Sequence, residues 1–116
     1  MGNHYMIKGK ILLLPFPYDE LNHEKIRPVL SLTNYIGEYS HIVVAFISSK
    51  IKNSLKDSDL IIQEDSSHFS KTGLKVSSVV HLHRLLTVSK STIFREIGYL
   101  PEDIIRIAIE KVKNVF

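Results

Sequence analysis

Arg27 lies between Ile26 and Pro28, downstream of the run Pro15-Phe16-Pro17. Two prolines stiffen the chain where it leaves one apolar stretch, and Pro28 fixes it where it enters the next. Arg27 is therefore expected on a restrained backbone at the root of a strand. A guanidinium held so firmly is suited to gripping a phosphate through two parallel hydrogen bonds. The alternative is an arginine that pairs with Asp19, Glu20 or Glu24 and pins the loop. Composition alone favours that alternative, because surface arginine is common and function on loops is only a tendency.

Ser48 and Ser49 close the most apolar stretch of the chain, with Lys50, Lys52 and Lys56 behind them. A hydroxyl at this point could donate to a phosphate or orient a nucleophile. The competing reading is turn chemistry, in which the serine bonds its own backbone. A serine nucleophile would need a base beside it, and no G-x-S-x-G elbow is present. The lysines could form one lip of an anion-binding groove or a solvated loop.

His81 and His83 are two apart, so on a strand they face the same way. Two histidines fall short of a zinc site, which needs further ligands and an ordered second layer of contacts, and no HExxH frame exists. No metal is expected. His4, His23, His41 and His68 are scattered over loops and element edges; His23, near Arg27, is the one with acid–base potential. Tyr18, Tyr35, Tyr39 and Phe69 could stack on bases or cover the ends of a barrel.

The elements that must position these residues are short. The chain has 116 residues, room for one domain and not two. At 44% hydrophobic and 23% charged residues it has the composition of a globular protein, which excludes disorder and collagen-like function. It has no cysteine, so disulfides, thiolate zinc and thiol catalysis are excluded. No apolar run approaches the roughly 20 residues of a membrane span, residues 1–10 hold no signal-peptide core, and the expected location is the cytoplasm. A net charge of +3 permits a polyanion partner.

Residues 10–16 (KILLLPF) read as a buried strand bounded by Pro15 and Pro17, 28–33 (PVLSLT) as an alternating strand, and 41–47 (HIVVAFI) as a strand buried on both faces. Residues 34–40 form a turn around Gly37, and 60–63 a short strand. Residues 64–72 read as a polar loop closed by Gly73, 77–82 and 85–88 as separate strand segments, and 92–97 as an alternating strand. The period then changes. Ile104, Ala108 and Val112, with Ile105 and Ile109, make the apolar face of a helix. Pro101 suits its first turn, and Glu102 and Asp103 suit its N-terminal dipole. The expected fold is mainly β with a C-terminal helix: a small, strongly bent barrel with the helix packed against it.

In order along the chain, Gly9 to Pro17, Lys25-Ile26-Arg27-Pro28-Val29-Leu30, Val43 to Ser49, Gly73-Leu74-Lys75 with Ser77 to Val80, and Arg84 to Thr87 followed by Ile97-Gly98-Tyr99-Leu100 resemble the blocks of the MazF/PemK-type toxins. The set runs from Gly9 to the terminal helix, and PFP followed by RP is its most specific part. The resemblance implies an SH3-like barrel, a homodimer, and a metal-independent endoribonuclease of a type II toxin–antitoxin pair that needs no cofactor. It carries the catalytic positions onto Arg27 and Ser48. Pro17, Tyr18, Lys25, Ser49, Lys50 and Lys52 are the expected RNA contacts around them, and His23 a possible acid or base. Two positions depart from the family: Lys10 stands where an acid is usual, and Ser48 where threonine is common. The implied partners are single-stranded RNA, a cognate antitoxin and a second copy of the chain, with no membrane. The other readings are a CcdB-like gyrase-binding toxin and a non-catalytic nucleic-acid-binding barrel.

Overall fold

The computed structural model describes residues 6–17, 24–54 and 57–116. Strands β1 (Lys10–Pro17), β2 (Glu24–Ser31), β3 (His41–Ser48), β4 (Asp59–Ile62), β5 (Ser78–Ser89) and β6 (Arg95–Tyr99) form one six-stranded sheet of order β4-β5-β3-β2-β1-β6, antiparallel throughout. Ile11, Leu30, Ala45, Ile47, Val80 and Leu82 point to one face, where they pack with Ile105 and Ala108 of the C-terminal helix α2 (Glu102–Val115). Leu12, Leu14, Val29, Ile42 and Val44 point to the other and form a second cluster. The central strands are thus buried on both faces, as the unbroken apolar run at 41–47 predicts.

The sheet curls into a half-barrel. The connection from β4 to β5 contains one helical turn, α1 (Phe69–Thr72), which packs on β6 at the opposite edge. The approach is close enough to require glycine on both sides. A Cβ at Gly98 would stand 2.3 Å from the Lys71 carbonyl oxygen, and one at Gly73 would stand 2.2 Å from the Ile97 carbonyl oxygen. Gly73 also ends α1 in the left-handed conformation, φ 76°.

Several sequence expectations change in detail; the strand read at 92–97 is β6 at Arg95–Tyr99. β1 does not stop at Phe16; it runs through Pro17, which pairs with Glu24. β6 pairs with β1 only as far as Leu13, and β3 pairs with β2 only from Val29, so beyond those points the hairpin is a two-stranded arm. Prolines are tolerated there because one side of each strand has no ladder to lose. Arg27 consequently lies within β2, opposite Leu14, and not at the root of a strand. Residues 64–72 are not wholly loop, since they end in α1. The two segments at 77–82 and 85–88 are one strand, β5. Its register against β3 jumps between Phe46–His81 and Ala45–Leu85, so Leu82, His83 and Arg84 form a bulge that increases the local bend.

In α2 the apolar face is the one read from the sequence, with Ile104, Ile109 and Val112 beside the buried pair. Pro101 is the cap itself and not the first helical residue. Its carbonyl accepts from the amides of Ile104 and Ile105 at 3.1 and 3.0 Å. Among the described residues no helix is long and apolar enough to cross a membrane.

Candidate functional site

The second face of the sheet turns from apolar to polar towards the β1–β2 arm. β2 and β3 pair Ser31 with Val44 and Val29 with Phe46; Arg27 and Ser48 lie two residues beyond the last of these pairs, each on the same face of its strand as Val29 and Phe46. Across the next ladder Ser48 pairs with Val79 and Phe46 with His81, and β4 adds Asp59 opposite His81. Side chains at directly paired positions share a face. Residues distant in sequence are thereby drawn into one patch.

That patch floors a groove of about 900 Å³ whose far wall is Gly73, Leu74, Lys75 and Val76. Five cationic side chains line it, Arg27, Lys50, Lys75, Arg84 and Arg95, and no carboxylate among the described residues does. Arg27 is half-buried with its Nε inside the wall. The Arg84 guanidinium lies over the Phe46 ring, 4.7 Å from its centroid, which holds the charge at the rim of the bulge. A concave surface of this kind concentrates positive potential and favours an extended polyanion.

Ser48 does what turn chemistry predicts: its Oγ accepts from the Lys50 amide at 3.0 Å. That bond uses a lone pair and leaves the hydroxyl proton available to a phosphate oxygen. The turn bond is therefore compatible with a role as donor.

Behind the groove sits a polar cluster that the sequence reading did not assemble. The Asp59 side chain is 0% exposed, and its two oxygens accept from His81 Nδ1 at 3.0 Å and His83 Nδ1 at 3.2 Å. The two imidazoles meet edge to face, 5.7 Å apart. Both line the groove with Arg27 and Ser48. The i, i+2 spacing of the histidines was visible in the sequence. Asp59, in a polar stretch on a different strand, carried no local signal. One donor atom from each of the three lies within 4.8 Å of the others, so the group is also compact enough to surround a cation.

Ser49 and Lys50 line the groove beside Arg27 and Ser48, while Lys25 and Lys52 are exposed and do not. Pro17 ends β1 next to the arm's tip. Tyr18, His23 and Lys56 lie outside the described residues. Arg84, Arg95 and Lys75 were not singled out from the sequence, because each comes from a different segment and only the curl brings them together. Tyr35 and Phe69 pack against the two apolar clusters, and Tyr39 is exposed beside His41. Lys10 pairs with Glu96 on β6 at 3.3 Å.

The family model for PemK-like, MazF-like toxins of type II toxin–antitoxin systems matches residues 7–116. Among solved structures, the Mycobacterium tuberculosis toxin MazF-mt6 superposes with a TM-score of 0.69 at 23% identity, covering 92% of this chain and 95% of that one. A second M. tuberculosis toxin gives 0.66 at 21% identity, over 92% and 100%. A mycobacterial endoribonuclease solved with its cognate antitoxin gives 0.69 at 10% identity, over 93% and 91%. At these identities the likeness is one of fold. No curated protein sequence matches the chain.

Proposed function

The chain belongs to the PemK-like, MazF-like toxins of type II toxin–antitoxin systems, and on that premise we propose that it is a cytoplasmic endoribonuclease that cuts single-stranded RNA without a metal. The carrying observation is the cationic groove, lined by no carboxylate among the described residues, to which Arg27 and Ser48 both contribute. RNA brings its own nucleophile, the 2′-hydroxyl. The protein has to align that oxygen with the phosphate and stabilise charge on the phosphorane. Arg27 clamps the non-bridging oxygens through its planar fork. Ser48 Oγ–H holds the phosphate or the 2′-hydroxyl. The products are a 2′,3′-cyclic phosphate and a 5′-hydroxyl.

A single strand fits the groove because its bases can splay onto loop residues, whereas an RNA duplex hides its base edges in a deep, narrow groove. In this reading Ser49 and Lys50 contact the backbone, and Pro17, Tyr18, Lys25 and Lys52 flank the path. An antitoxin neutralises the protein by occupying the same cationic groove, and the working species is a homodimer. Incubation of the purified protein with single-stranded RNA in EDTA, followed by end-group analysis, tests the reading. Cyclic phosphate and 5′-hydroxyl ends support it. Binding without cleavage would leave a nucleic-acid-binding barrel.

A further inference from the structure

Cleavage by 2′-hydroxyl attack requires two proton transfers, and a guanidinium, which keeps its proton across the ordinary pH range, is ill suited to either. The groove contains groups suited to both. Among the described residues His81 and His83 are the imidazoles lining it, and both turn Nδ1 towards the buried carboxylate of Asp59. A carboxylate accepts and does not donate, so each ring carries its proton on Nδ1. Nε2 is then a lone-pair acceptor in a neutral ring and an N–H donor in a charged one. The β5 bulge lies between His81 and Leu85, and within it Leu82 is buried in the core while His83 reaches the groove. The side chains of His81 and His83 are 8% and 34% exposed, which keeps the first sheltered and the second within reach of a strand in the groove.

We propose that His81 and His83 form an acid–base pair oriented by Asp59, which acts as a positioning residue, in an inference that rests on the nuclease reading above. One neutral ring accepts the 2′-hydroxyl proton on Nε2 as the 2′-oxygen bonds to phosphorus. The bond from phosphorus to O5′ breaks, its electron pair goes to O5′, and the second ring, protonated, gives its Nε2 proton to that oxygen. One ring ends charged and the other neutral, and exchange with water restores the start. Arg27 and Ser48 hold the phosphorane throughout.

The test uses single-turnover cleavage of single-stranded RNA in EDTA. His81→Asn and His83→Asn place an amide N–H near the position of Nδ1, so they retain a donor to Asp59 and remove only Nε2. Each should slow cleavage roughly 10²- to 10⁴-fold, the usual range for a positioned acid or base, with circular dichroism unchanged. On an RNA with a bridging 5′-sulfur at the mapped cut site, the variant lacking the acid should recover, because a thiolate leaves without a proton. The variant lacking the base should stay slow. His83→Ala, at the more exposed ring, should regain activity with added imidazole. Nitrogen-15 NMR of the wild type should show Nδ1–H tautomers in both neutral rings, and Asp59→Asn should lose that preference.

A folded His81→Asn/His83→Asn protein cleaving within about threefold of wild type overturns the pair while leaving the nuclease reading intact. A matching loss in His23→Gln instead would move the role to His23. Cleavage that disappears in EDTA and returns with Zn²⁺ would assign Asp59, His81 and His83 to a cation. Absence of any cleavage by the wild type would overturn the nuclease reading and this role with it.

Discussion

Arg27 reaches the groove from inside a two-stranded arm, where ladder bonds to β1 fix its backbone and the sheet's polar edge receives its side chain. A donor held in advance of the reaction is the kind that stabilises a transition state most. Arg27→Ala should lose on the order of 10²-fold or more in single-turnover rate, and Arg27→Lys should recover only part, since an ammonium keeps the charge and loses the fork. Ser48→Thr should be tolerated. Ser48→Ala should slow cleavage by losing both the donor and the acceptor for the Lys50 amide. Wild-type rates from a folded Arg27→Ala protein would remove the arginine from the mechanism. Away from the chemistry, Lys75→Gln or Arg95→Gln should weaken RNA binding with little regard to sequence. Each should flatten the plot of log affinity against log salt by about 0.7. An unchanged slope would place that side chain off the RNA path.

At the scale of elements, the contact of α1 with β6 closes the curl and builds the far wall of the groove. Gly73→Ala forces a Cβ against the Ile97 carbonyl at a left-handed φ. It should cost about 1–3 kcal/mol or more by urea denaturation, and it should reduce RNA affinity as the wall shifts. A stability within about 0.5 kcal/mol of wild type would mean the edges are not clamped there. Tyr35 probes the other cluster. Burial first, and then the Glu96 carboxylate, push its phenol above its ordinary value. A raised phenol favours the neutral form. Its stabilising share is whole below the unfolded value and is lost as pH rises through the folded one. The melting temperature of Tyr35→Phe should therefore gain on the wild type only above about pH 10. A gap that stays constant into that range would show that Tyr35 ionises without cost.

The whole molecule is small for the area it must bury. A chain of this size covers only about two-thirds of its unfolded surface, and Met6, Tyr39, Phe94 and Phe116 remain 65% or more exposed. Association of two copies would remove apolar surface of this kind from water. Sedimentation at micromolar concentration should give about twice the chain mass of 13.3 kDa; a clean species at the chain mass would count against the homodimer. With five cations and no acid lining the groove among the described residues, an acidic, extended antitoxin segment should compete directly with RNA, and its hold should weaken with salt. An antitoxin that bound without displacing RNA would have to act elsewhere.

Periodicity and apolar run length are local properties, and they were enough to place β3, the Gly37 turn, the face of α2 and the apolar cores of β1 and β2. The family resemblance turned Arg27 and Ser48 from two candidates into the proposed catalytic pair. The sequence could not decide where β1 ends, because prolines read as boundaries until the absence of a neighbouring ladder is known. Nor could it join the two halves of β5, since a bulge interrupts the alternation that marks a strand. The groove itself was decided by tertiary structure alone. Lys75, Arg84 and Arg95 become neighbours of Arg27 only when the sheet curls and α1 meets β6. His81 and His83 were legible as a pair, but their chemistry depends on Asp59, which arrives from another strand. A local pattern can say which way a side chain points; the register between strands determines which side chain it meets.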